Sequence, residues 1–141
     1  LLAREQAWFD RTVADIFGFS AIQIGLPECP FLAQSRVASR WTVDSGPPAD
    51  LLADAHWLPF PDNSLDLIVL PHALEFASDP HQLLREVYRA TGAEGQIIIA
   101  DIGHYESEQF TKQLFFDLLK ENFSTFALRL SEVVTNPINY I

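Results

Sequence analysis

The sequence predicts an α/β fold of the Rossmann-like kind: a three-layer sandwich with a mostly parallel sheet of five to six strands flanked by helices. Three observations predict it. Short apolar runs alternate with amphipathic segments in a repeating β-α order, without an internal sequence repeat. Leu65 to Leu70 is an almost continuous apolar run, as in a strand covered on both faces. The runs are separated by the punctuation helices and strands need, an Asp-Pro pair at 79–80 and the turn-rich "DSGPP" at 44–48 among it. With 141 residues the chain suits one domain, 1–141, able to bury roughly two thirds of its unfolded surface.

The elements follow in order. Phe9, Val13, Ile16 and Phe17 fall at helical spacing, so a helix is expected over 3–17, stopped by Gly18. Ala21 to Ile24 is a buried strand ending at Gly25 and Pro27. Phe31 to Arg36 is expected as a short helix and Arg40 to Val43 as a second strand. After Leu51 to Ala53, "HWLPFPDNS" is loop, and the Leu65 strand follows. Asp79 is an N-cap with Pro80 in the first turn and Gln82 at the third helical position. Leu83, Leu84, Val87 and Tyr88 form that helix's inward stripe, and Gly92 and Gly95 are expected to break it before a strand over 96–102. Phe110 to Leu119 predicts a longer helix, and Phe126 to Val133 a last strand.

In open parallel sheets, ligands collect beyond the carboxyl ends of the strands. Those ends are Gly25, Asp44, Asp54, Pro71 with His72, and Asp101 with His104. They are the candidate site.

Nineteen acidic residues against nine basic ones leave a net charge of −10, which repels nucleic-acid phosphates and anionic lipid. No apolar run reaches the ~20 residues of a membrane helix and no signal peptide is visible, so a cytoplasmic location is expected. Cys29, the one cysteine, has no base beside it and is expected to be a structural thiol. A chain without methionine is expected to be a processed or trimmed product.

Residues 53–90, "ADAHWLPFPDNSLDLIVLPHALEFASDPHQLLREVYRA", resemble the class I S-adenosylmethionine-dependent methyltransferases of the type-eleven group. The features carrying the resemblance are the acidic-Ala pair, Leu-Pro-Phe, the turn with Asp62 and Ser64, the Asp66 strand and the Arg-ended helix. With the leading helix and first strand it covers 1–92. The resemblance implies that Asp54 and Ala55 lie against the cofactor's adenine and that Pro71 to Phe76 border the methyl-transfer site. Gly25, Asp44 and His72 complete the implied cofactor-binding set. The family pattern runs its first strand into an acid and a Gly-x-Gly-x-Gly loop; "AIQIGLPECP" keeps Gly25 but has Gln23 for the acid and Pro27 and Pro30 for glycines.

Residues 95–141, with "DIGHYESEQF" and "TNPINYI", resemble the carboxyl end of the GTP cyclohydrolase type-two homologues, the Nif-three-like dinuclear-metal proteins. That resemblance implies His104 and Glu108 as metal ligands, four residues apart on one helix face; the family's other ligands have no counterpart in the sequence. Composition shifts where the two resemblances meet: residues 1–92 hold six arginines, no lysine and twelve alanines, residues 93–141 two lysines, one arginine and three alanines. The leading expectation is therefore a recombined, engineered domain, joined near "TGAEGQIII", with no evolved catalytic activity and no cofactor. The alternatives are an S-adenosylmethionine-binding methyltransferase or degenerate relative, and adventitious divalent-metal binding by His72, His104 and Glu108 if the strand order is 3-2-1-4-5. The apolar "INYI" end suggests a homodimer contact.

Overall fold

Ser20–Ile24 forms the central strand, β1, of a five-stranded sheet in the computed structural model, which describes residues 2–100. Its neighbours are β2 (Ser39–Asp44), β3 (Leu51–Leu52), β4 (Leu65–Pro71) and β5 (Thr91–Ala100). The order is β3-β2-β1-β4-β5 and every pairing is parallel, as the sequence predicts. The chain winds outward from β1 to β3, then crosses back to β4. A crevice therefore opens where the winding reverses, at the carboxyl ends of β1 and β4.

Parallel strands need apolar cover on both faces, and β4 supplies it by alternation. Leu67 and Val69 face helix α1 (Leu2–Val13), which contributes Trp8, Phe9 and Val13 beside Phe31 and Val37. Ile68 and Leu70 face helix α3 (Pro80–Ala90), which contributes Leu83, Leu84, Val87 and Ala90. Leu65 and Leu67 to Leu70 are all buried; at ~1.5–3 kcal/mol for each large apolar side chain, this strand anchors the core, whereas β3 leaves Leu52 exposed at the edge. Asp79 caps α3, its carboxylate accepting the Gln82 N–H at 3.1 Å. Among the described residues no helix is long and apolar enough to cross a membrane.

Three local expectations are corrected, and one element had not been foreseen. Helix α1 stops at Val13 rather than residue 17, and Phe17 turns outward beneath the Arg36 guanidinium, 5.8 Å from its ring centre. Residues 31–34 form turns and 35–36 are irregular instead of helical, with the carbonyls of Leu32, Ala33 and Ser35 accepting from Arg40 Nη1. A four-residue helix, α2 (Ala73–Phe76), follows β4. Finally, Gly92 and Gly95 do not break α3: the strand begins at Thr91, whose hydroxyl donates to Val87 O at 2.6 Å, and both glycines lie inside β5.

Gly95 has a different reason. A Cβ there would stand 2.6 Å from Thr91 Cγ2 and 2.8 Å from Leu65 O, beside a register shift between β4 and β5. Gly95→Ala is expected to destabilise the domain by about 1–3 kcal/mol through overpacking. Urea unfolding measures it. A loss under half a kcal/mol would mean that β5 shifts freely here.

The helix expected over 110–119, the strand over 126–133, His104, Glu108 and the apolar "INYI" end lie outside the described residues.

Candidate functional site

The crevice at the strand ends holds a cleft of about 530 Å³. Its lining takes Gly25 from the end of β1, Asp44 from β2, Asp54 and Ala55 from the loop after β3, and His72 from the end of β4. All five residues the sequence marks for a cofactor thus meet in one place. Ligand pockets usually span ~300–1,000 Å³, so the space suits a small organic molecule.

Backbone geometry shapes the floor. Gly25 has φ +89°, a conformation side chains rarely adopt, and its N–H donates to Val43 O at 3.0 Å. Leu26 (φ 47°) and His72 (φ 59°) also hold left-handed backbone and line the same cleft. Such conformations in non-glycine residues cost ~1–3 kcal/mol and gather at functional sites.

Gln23 explains how this loop stands without the family's glycines. The side chain is fully buried, and its Nε2 donates to the carbonyls of Gly25 (3.0 Å), Leu26 (2.8 Å) and Cys29 (3.0 Å). A carboxylate cannot donate, so the amide belongs with a loop that turns its carbonyls inward. Burial, then the nearby carboxylates of Glu28 and Glu5, push the Cys29 thiol up, which keeps it protonated and poor as a nucleophile.

His72 closes the cleft from β4. Its N–H donates to Ala100 O at 2.7 Å, which ties the turn to β5. The ring's Nε2 meets Glu5 Oε1 of α1, and both side chains are buried. The ring's partner lies far away in the chain, 67 residues back. Glu5 was missed. The signal was present, since Glu5, Phe9 and Val13 share one helix face at spacings of four, and a carboxylate on an apolar stripe requires a buried partner.

The opposite wall is fastened to α3. Asp54 Oδ1 accepts from the His56 backbone N–H (2.9 Å) and from His56 Nδ1 (2.7 Å). These bonds hold the Asp54 carboxyl below its ordinary range. His56 Nε2 accepts the N–H of Asp79 at 3.2 Å, while Gln82 Nε2 donates to His56 O at 3.1 Å. Further along, Glu86 Oε2 accepts the Leu58 N–H at 2.7 Å, and Arg89 reaches Leu58 O, Phe60 O and Asp62 Oδ1 while gripping both oxygens of Glu86. His56 was not marked from sequence, and Gln23 was noted only as a departure from the family pattern.

Among the described residues no three histidine, cysteine, aspartate or glutamate side chains gather as a metal site. His72 is therefore part of no such cluster there, and the other two ligands of that expectation, His104 and Glu108, lie beyond the described residues.

A parallel sheet of this order with a cleft at its switch point is Rossmann-like, a fold shared with solved S-adenosylmethionine-dependent methyltransferases. Residues 31–99 match the family described as "Methyltransferase domain". A SAM-dependent methyltransferase from Aquifex aeolicus superposes with a TM-score of 0.64 at 14% identity, covering 80% of this chain and 77% of that one; the likeness is one of fold. The uncharacterized protein YafS of Escherichia coli K12 is 33% identical over 95 residues, 66% of this chain and 38% of that protein. The malonyl-acyl-carrier-protein O-methyltransferase of Halorhodospira halophila is 41% identical over 56 residues, 40% of this chain and 19% of that enzyme. This chain thus spans less than two fifths of either sequence relative.

These findings overturn the expectation of an engineered domain without evolved activity. The family match runs unbroken through 92–95, where the join was expected, and β5 pairs in register with β4 from Gln96 to Ala100. The chain is methyltransferase-like. The composition shift rests on counts too small to mark a boundary, and the expectation of no cofactor loses its support as well.

Proposed function

We propose that this chain carries the cofactor-binding part of an S-adenosylmethionine-dependent methyltransferase. The observation that carries the reading is the convergence of Gly25, Asp44, Asp54, Ala55 and His72 on one cleft at the strand ends. The residues fit that molecule. It bears a sulfonium and an ammonium, and the cleft sets two carboxylates, Asp44 and Asp54, in its lining within a chain of net charge −10.

In this reading Asp44 accepts the ribose hydroxyls, Asp54 and Ala55 border the adenine, and Gly25 lets the backbone approach closely. His72, backed by Glu5, walls the side where an acceptor enters. When bound, the cofactor supplies an electrophilic methyl group. The protein's task is to hold that carbon in line with a nucleophile and keep water away.

Calorimetry with S-adenosylmethionine tests this. The expected dissociation constant is about 10 μM, and Asp44→Ala is expected to weaken it about tenfold through loss of hydrogen bonds to a carboxylate. An absence of binding at millimolar cofactor would overturn the reading.

A further inference from the structure

His56 lines the cleft but matches no part of the family pattern described above, and its ring has both nitrogens engaged. Because Nε2 accepts the Asp79 N–H, the ring proton sits on Nδ1, where it donates to Asp54. The side chain is largely buried, at 15% exposure, whereas that of Asp54 is 62% exposed. An exposed loop carboxylate ordinarily samples several rotamers. Here two donors from one residue fall on Oδ1 alone, which fixes the carboxylate and leaves Oδ2 for an external donor.

The same ring reaches α3. Asp79 supplies both the N–H that orients His56 and the carboxylate that caps the helix, and Gln82, held by that cap, returns to His56 O. From His56 to Asp62 the loop is thereby fastened to α3 at successive points, ending at Glu86 and Arg89. His56 is the fastening that touches the cleft.

We infer that His56 is a positioning residue for cofactor binding: as the Nδ1–H tautomer, held by the N-terminus of α3, it sets the Asp54 carboxylate in the orientation that receives the ligand. The inference rests on the reading of the cleft as an S-adenosylmethionine site. Only a neutral imidazole can donate to Asp54 and accept from Asp79 at once, and that dual bonding fits the choice of histidine.

Two substitutions separate the ring's two bonds. Asn places an amide N–H near the position of Nδ1, and Gln places its amide near that of Nε2. Calorimetry with S-adenosylmethionine on the whole chain is expected to give His56→Asn an affinity within about threefold of wild type, with His56→Gln and His56→Ala weaker by about tenfold. Carbon-13 NMR titration of the Asp54 carboxyl supplies a readout that does not depend on the ligand. Its depressed titration is expected to survive in His56→Asn and to relax upward in His56→Gln.

Equal affinities in all four proteins, or a loss in His56→Asn as large as in His56→Gln, would overturn this inference while leaving the cofactor reading intact. A wild-type chain that takes up no cofactor would overturn the reading, and this inference with it. Urea unfolding of each variant confirms that the comparison is made between folded proteins.

Discussion

Arg89→Met will lower the unfolding free energy by about 3 kcal/mol, read as a fall in urea midpoint at unchanged slope. One guanidinium serves five acceptors: Glu86 Oε1 and Oε2 at 2.8 and 2.9 Å, Asp62 Oδ1 at 2.7 Å, and the carbonyls of Phe60 and Leu58 at 2.8 and 3.1 Å. Methionine keeps the apolar stem but removes the fork. Glu86, only 8% exposed, is then left with the Leu58 N–H and no cation. Arg89→Lys should recover less than half the loss, because a point charge cannot hold two carboxylate oxygens and two carbonyls together.

The effect has a defined pH window. Hydrogen bonds from Arg89 chiefly, and from Leu58 N–H, hold the Glu86 carboxyl below its ordinary value of 4.5, against the opposing effect of burial. A folded value below the unfolded one gives stability that is fully present above about pH 4.5 and is lost as pH falls through the folded value. The gap between wild type and Arg89→Met should therefore narrow in acid. A gap that stayed constant from neutrality to pH 3 would show that stem packing, not the ion pair, carries the difference.

What the sequence makes legible here is what local chemistry decides. The Asp79-Pro80 start of α3, the buried run of β4 and the β-α alternation each need only a few neighbouring residues to be recognised, and the parallel winding then places the strand ends along one edge. That is why Gly25, Asp44, Asp54 and His72 are legible in the sequence: a residue at the carboxyl end of such a strand has little choice but to face the crevice. What distant partners decide stayed hidden. Residues 31–36 have an apolar pattern, yet Arg40 takes their carbonyls, and that claim is invisible in the segment itself.

The same division runs through the site. His56 depends on an N–H 23 residues along the chain, and the ring of His72 on a carboxylate 67 residues back. Gly92 and Gly95 looked like helix breakers because glycine after a helix commonly is one, whereas the close approach of Gly95 to Leu65 O is a reason that only the paired strands reveal. Gln23 was noticed as a departure from pattern. Its meaning depended on which way its amide pointed.

Gln23→Glu, the substitution that brings the chain nearer to the pattern of the family it resembles, will instead destabilise it by about 3–5 kcal/mol at neutral pH. The side chain is fully buried and its Nε2 lies 2.8–3.0 Å from three carbonyl oxygens. Glutamate has the same length but brings an acceptor to a place that needs a donor, so both N–H donors shared among the carbonyls are lost and a negative charge faces three carbonyl dipoles. The loop from Gly25 to Cys29 would have to reverse its peptide planes to supply N–H groups, and Pro27 within this stretch and Pro30 just after it limit that movement. Burial raises the pKa of the new carboxyl in the folded state, so its contribution is most favourable below the unfolded value and is lost as pH rises through the folded one. The deficit relative to wild type should accordingly shrink toward pH 4, where the protonated acid can donate one hydrogen bond to these carbonyls. Urea midpoints at pH 7 and pH 4 measure both effects. A variant as stable as wild type at pH 7 would mean that the loop accepts either polarity, and that the amide is not what replaces the missing glycines.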